Sequence, residues 1–351
     1  MIAGAMRSAL MRWRGLFFDI LCSAAAGRGQ ATPCQGRDAQ SYRWCRGGRA
    51  NDFSIGKVMS DTGFDLPEPP VFTEAEMAEC EKTGDYMPVI YEWYKYVGMM
   101  AFLLGHIMPE SPAFRSVRPQ HYYILMGLLN RCGRLILANV ALSENGKFGE
   151  TTAIVDRCIF EAALKIIWLC FKDDPEEFNR YMGGGLKTEL ELKAEVLANI
   201  AARDGVSLPI EDRMLRSIER HVQVSGLSEA EIQSVKPLRD VASMLLALGH
   251  DRLFYVVAQR LGSHHVHGTW SSLLFHYIEK RDDDSEFAFG PRGHDCNTYI
   301  DQFNFNALFV ISAMQGYSKY FLDDDSHKAM FELLESASVK IQQLRNAIGD
   351  A

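Results

Sequence analysis

Residues 154–171 read IVDRCIFEAALKIIWLCF. Apolar side chains occupy nearly every face of this stretch, and neither Gly nor Pro interrupts it. Such a segment is a helix buried all round, at the centre of a larger fold. Asp156, Arg157, Glu161 and Lys165 are set into it. Arg157 and Glu161 stand one turn apart, on the side shared by Ile154, Leu164, Trp168 and Phe171. Arg before Glu is the weaker order for a surface ion pair. A buried pair needs further hydrogen bonds to offset desolvation. The pattern therefore points to a second polar element packed against this helix.

Outward from the centre, helical periodicity continues in both directions. Towards the N-terminus it predicts helices over 89–108, stopped by Pro109 and Pro112, and over 119–142, with Pro119 at the first helical position. The central helix itself extends over 149–171. Beyond it, Asp174-Pro175-Glu176-Glu177 is a start signal: an N-cap Asp, Pro at the first position, acids in the first turn. Gly183-Gly184-Gly185 is expected to break that helix, which resumes over 187–203. Shorter pieces follow over 207–221 and over 228–234, the latter with a Ser228-x-x-Glu231 capping box. Asp295 is expected to cap a helix running to Leu322, and Ser326 one running to Ile348. No alternating run flanked by hairpin turns occurs. The expected class is all-α, a multi-helix bundle.

The second polar element is Arg260-Leu-Gly-Ser-His-His-Val-His-Gly-Thr-Trp270. If 250–281 is one helix, Leu253, Val256, Arg260, Ser263, His264, His267, Ser271, Leu274 and Ile278 share one face. The ends of that stripe are apolar, so it should face the core. Its polar middle then needs partners, since an unpaired buried polar group costs about 1–3 kcal/mol. His265 falls off this face. Gly262 and Gly268 are the weak points, each costing about 1 kcal/mol relative to Ala in a helix. Facing patches would let Glu161 orient His264 or His267, while Arg157 and Arg260 hold an anion. The candidate catalytic set is Arg157, Glu161, Arg260, Ser263, His264 and His267, and the competing reading is a structural polar network.

Composition frames these readings. The 351-residue chain carries a formal net charge of -8. Residues 1–58 hold nine Lys and Arg against three Asp; residues 59–351 hold 28 against 42. An acidic body argues against a general nucleic-acid coat, which needs a basic face. Residues 1–58 are rich in Arg, Gly, Ala and Ser and contain no Glu; they are read either as a poorly structured leader or, the favoured reading, as a stretch ahead of a native start at Met59. Residues 59–351 form one helical domain, with a motif-bearing core at 85–280 and C-terminal helices at 295–348. Cys22, Cys34, Cys45, Cys80, Cys132, Cys158, Cys170 and Cys296 make no CxxC pair, which suits free thiols in a reducing, cytoplasmic setting. Membrane spans are not expected, because Arg131 and Arg134 interrupt one apolar run and Asp156 to Lys165 another. The runs Asp282–Asp284 and Asp323–Asp325 lack an EF-hand's glycine and spacing and are read as caps and turns.

Arg157-Cys-Ile-Phe-Glu161 with its apolar run, Asp174-Pro175 and Phe178 to Tyr181, followed by Ser263-His-His-Val-His267-Gly268, resembles an uncharacterised bacterial helical domain of unknown function over roughly 85–280. That resemblance implies a fold and little about activity. Arg260 with His265 or His267 is also similar in spacing to the HEPN superfamily of helical nucleases and toxins, although Leu261 replaces a residue often polar there. This similarity implies a metal-independent ribonuclease or a toxin or defence protein, with His as general acid and base and Arg on the phosphate.

Two other readings stand beside it. One is a non-enzymatic partner-binding module. The other is a metal-binding hydrolase using His264, His267 and Glu161, with His276 or His294 adding to the set. No cofactor is expected. The expected partners are RNA or a small anionic ligand and a second copy of the chain, with no membrane.

Overall fold

The computed structural model describes residues 67–143, 147–281 and 288–349. The reading of residues 1–58 as a leader, the start at Met59 and the turn at Asp282–Asp284 lie outside them. The fold is all-α. Helix α1 (Glu74–Thr83) starts with a Thr73/Glu76 capping box. The main helices are α2 (Met87–Leu104), α3 (Pro119–Ser143), α4 (Gly149–Lys172) and α12 (Ile300–Phe321). Each packs on the next, and α12 closes the ring back onto α2. Helix α13 (Asp324–Gly349) lies along α12.

The predicted central helix is α4. Ile159, Phe160, Ala163, Leu164, Ile166, Trp168 and Leu169 are buried on it. Helices α2 and α3 lie close together where Gly98 meets Gly133. A Cβ at Gly133 would lie 2.9 Å from the Gly98 carbonyl oxygen and 2.9 Å from the Phe102 nitrogen. By length and composition α3 is apolar enough to cross a membrane, and half of its most apolar window is buried inside the fold.

A satellite lies on one end. Helix α5 (Pro175–Ala201) is capped by Asp174 as expected. It meets α6 (Pro209–Ser225) and α7 (Glu229–Ser234) around Leu186, Leu190, Ile218 and Ile232. The expected break at Gly183–Gly185 does not occur. A Cβ at Gly183 would fall 2.2 Å from Val235 Cγ1, so this glycine lets the segment after α7 touch an unbroken helix.

The predicted histidine helix is several pieces. After α8 (Val241–Ala247) come α9 (Arg252–Tyr255), a π-turn (Val256–Leu261), α10 (Gly262–Val266) and α11 (Trp270–His276). Gly268, at φ 55°, separates the last two. A short antiparallel pair follows, β1 (Ile278–Lys280) and β2 (Phe289–Pro291), with Glu279 opposite Gly290; the sequence pattern gave no sign of it. Asp295 does not cap α12, whose N-cap is Tyr299. Its carboxylate accepts instead from the Phe148 N–H, at 3.0 Å. The last helix begins ahead of Ser326, whose N–H donates to Asp323 at 2.8 Å.

Candidate functional site

The π-turn decides which side chains face α4. Its wider winding adds one residue to the turn, so the buried positions Phe254 and Gln259 are five apart. A strict 3.6-residue stripe loses register there. The expected inward face is turned out on both sides of it: Leu253, ahead of the π-turn, is 40 % exposed, and Arg260 and His267 are exposed. Ser263 and His264 are half-buried.

Part of the expected juxtaposition is present. Arg157 Nε donates to Glu161 Oε1 at 3.0 Å, and Gln259 Nε2 donates to the same oxygen at 2.8 Å. The bare Cα of Gly262 rests on the Arg157 stem, with room for a Cβ at only 3.3 Å. Arg157 Nη1 is buried with no partner among the described residues. Ser263 Oγ donates back to the Gln259 carbonyl, at 2.9 Å. His264 Nδ1 pairs with Thr269 Oγ1 at 2.7 Å. Among the described residues, Glu161 makes no hydrogen bond to His264 or His267. Arg157, Glu161 and the start of α10 thus meet, while Arg260, His264 and His267 lie at the rim.

A second cluster sits one side over, at the N-terminus of α4. The turn before α4 is clamped: Gly149 N–H donates to the Cys296 carbonyl at 3.0 Å, and a Cβ on Gly149 would lie 2.4 Å from the Asn297 carbonyl oxygen. This fixes Glu150. Ser272 Oγ donates to Glu150 Oε1 at 2.6 Å, and the Tyr277 hydroxyl donates to Glu150 Oε2. His265 Nδ1 lies 3.1 Å from Ser272 Oγ and 3.2 Å from His276 Nε2. Ligand atoms of Glu150, His265 and His276 all lie within 4.8 Å of one another. His276 and Ser272 are buried; Glu150 and His265 are half-buried.

The electrostatics follow from this packing. Burial would push the Glu150 carboxyl up, but hydrogen bonds from Ser272 and Tyr277, with the nearby imidazoles, hold it below the usual carboxylate range. Burial, reinforced by His276, lowers His265; burial also lowers His276, against the opposing field of Glu150. The hydrogen bond to Glu150 raises Tyr277. The result is an anion beside two neutral rings.

Sequence reasoning missed Glu150, Ser272 and Tyr277, set His265 aside, and paired His276 with the wrong partners. One signal was present. Reading Gly268 as a helix end and Thr269 as a cap places His276 on a separate short helix that can fold back onto α10. An open groove elsewhere, between α5 and α7, is lined by Glu176, Arg180, Glu231 and Lys236. Arg180 there already pairs with Glu176 and Glu177.

These observations define a helical fold with a polar seam between its central helix and an irregular segment. Residues 122–286 match the model of a family of unknown function, DUF5677. The match runs from α3 to beyond β1 and includes every residue of both clusters named above, as the resemblance to an uncharacterised helical domain led one to expect. No curated protein and no solved structure matches the chain.

Proposed function

We propose that the rim formed by Arg260, His264 and His267 binds and cleaves RNA without a metal, in the manner of the helical nucleases its spacing resembles. One observation carries the reading. Arg260 and His267 are exposed, with half-buried His264 one turn from Arg260 and Trp270, 65 % exposed, just beyond. Thr269 holds the Nδ1 edge of His264, which leaves Nε2 for proton transfer.

In the reaction, one imidazole takes the proton of a ribose 2′-hydroxyl. The oxygen attacks the adjacent phosphorus, and the bond to the 5′-oxygen breaks. The other, protonated imidazole gives its proton to that leaving oxygen, yielding a 2′,3′-cyclic phosphate and a 5′-hydroxyl. Arg260 neutralises charge on the phosphoryl oxygens. Trp270 offers a stacking face to an unpaired base. A cytoplasmic toxin or defence role suits such an activity, and a small anionic ligand could occupy the same arginine.

The test uses the full chain with labelled single-stranded RNA, with and without EDTA, beside thermal melts. Wild type should cut, in EDTA too while the melt shows it folded. Arg260→Ala and His264→Ala should lose about 100-fold or more in rate with little change in Tm. Intact RNA with folded wild type, or variants as active as wild type, would sink the proposal.

A second reading has its own support. Leu261, Val266, Trp270 and Phe275 are exposed along the same segment, as on a surface that docks a partner or a second copy of the chain. Wild type that leaves RNA intact but self-associates, with Trp270→Ser abolishing the association, would favour it.

A further inference from the structure

We propose that Glu150, His265 and His276 form a site for a divalent transition metal of the zinc class, tying α4, α10 and α11 together. The argument begins from the spacing of the two imidazole nitrogens. Ligand nitrogens at about 2.0–2.1 Å from a tetrahedral zinc are roughly 3.3–3.4 Å apart. His265 Nδ1 and His276 Nε2 are 3.2 Å apart. A carboxylate oxygen of Glu150 lies within 4.8 Å of a ring nitrogen of each histidine, close enough for a side-chain rotation to bring it into the same coordination sphere. Two imidazoles and one carboxylate leave a fourth position for water.

Proton counting supports the same conclusion. Without a cation, the Ser272 hydroxyl proton goes to Glu150, at 2.6 Å. A single imidazole proton, on His265 Nδ1 or on His276 Nε2, must then serve both the Ser272 Oγ–His265 Nδ1 and the His265 Nδ1–His276 Nε2 contacts, at 3.1 and 3.2 Å. Acceptors thus outnumber donors at one point. A cation there takes the lone pairs of both nitrogens and the carboxylate at once. Ser272 and Tyr277, which both donate to Glu150, orient the carboxylate as outer-shell partners do. The exposed Tyr277 and half-buried Glu150 mark the way in from solvent.

This proposal is independent of the ribonuclease reading, since its ligands are not the rim residues and its readout is metal binding. The full chain is purified, stripped with a chelator and titrated with Zn²⁺ alone, then with Co²⁺ alone. Wild type should bind one ion per chain, give the intense visible bands of tetrahedral cobalt, and melt about 5 °C or more higher with excess zinc. Glu150→Gln and the His265→Asn/His276→Gln double variant should lose the bands and the zinc-induced shift. No bound ion in wild type, an octahedral cobalt spectrum, or equal binding by folded variants overturns the site. If the double variant fails to fold, the wild-type stoichiometry and spectrum, with Glu150→Gln, decide the matter.

Discussion

Two of the polar knots on helix α4, at Asp156 and at Glu150, differ in their surroundings. Asp156 lies deep among four long helices. Its Oδ1 accepts from Asn306 of α12 at 2.7 Å, Asn139 of α3 at 2.8 Å and Tyr94 of α2 at 3.2 Å. Glu150, two turns earlier, meets α11 and the β1 entry, which are short and joined by tight turns. The first knot is locked by helices that could hardly move apart without opening the apolar core. The second is held by pieces of a few residues each, which makes adjustment cheap. A knot of the first kind fixes which helices pair; one of the second kind can reorganise around a ligand. The comparison predicts that equal chemical insults cost more in the ring than at the edge.

The sharpest way to break that comparison is at the α2–α3 crossing. A Val at Gly133 has no room, because its Cβ alone would stand 2.9 Å from two backbone atoms. Helix backbones cannot step aside as a side-chain tip can, and overpacking of this sort costs about 3 kcal/mol or more. Urea unfolding of Gly133→Val should show that loss, and a loss under about 1 kcal/mol would mean that the ring is softer than its packing implies.

Next in size is the pH behaviour of two buried groups. Burial pushes the Asp156 carboxyl up to about 7, against the hydrogen bonds from Asn306, Tyr94 and Asn139, and its Oδ2 has no partner among the described residues. The folded state therefore holds a proton that the unfolded chain has released. Stability from this group is full below about 4 and is lost as pH rises through 7. His250 behaves oppositely. It is buried and stacked on Phe254 at 4.1 Å, and burial lowers it to about 4. Its contribution is present above pH 6.5 and lost as pH falls towards 4. In wild type the two slopes offset each other across that window. Asp156→Asn should leave stability rising with pH from 4 to 6.5, and His250→Phe should leave it falling. Asp156→Ala, which strands three donors, should cost about 2 kcal/mol. Denaturant midpoints measured along the pH series check all three, and a pair of variants with the wild-type profile would remove both groups from the account.

The same contrast explains what could be read in the sequence. The long helices were legible because their apolar periodicity is unbroken and their starts carry chemistry, as at Pro119 and Asp174-Pro175. The polar seam was legible in outline: Arg157 pairs with Glu161, and the 259–263 segment lies on it. The residues facing inward were not, because a π-turn leaves little mark in residue type and shifts every later position by one. The stripe was also set one residue off from the start, since Phe254 is buried and Leu253 is exposed, which put Arg260 on the inward face and His265 off it. Gly183–Gly185 misled in the other direction. A glycine that weakens a helix locally can still be helical where tertiary packing needs the missing Cβ, as Val235 does at Gly183. Asp156 was visible only as a charge in an apolar run. Its partners come from 62, 17 and 150 residues away, a relation that no local pattern carries.

The smallest expected effect belongs to the edge, and its cause differs in kind. Gly268 sits at φ 55° and has nothing within 4 Å of an added Cβ. Substitution there meets no neighbour, so the cost is torsional alone, about 1–2 kcal/mol for an ordinary residue in the left-handed region. Gly268→Ala should lose about 1 kcal/mol, and Gly268→Asn clearly less, because Asn visits that region more readily. At Gly133 the order should reverse, since any side chain collides and the larger Asn collides more. Melting the four variants side by side tests whether one glycine is kept for space and the other for backbone angle. Equal penalties for Ala and Asn at Gly268 would mean that the turn between α10 and α11 is held by contacts rather than by its own torsion. The edge would then be as rigid as the ring.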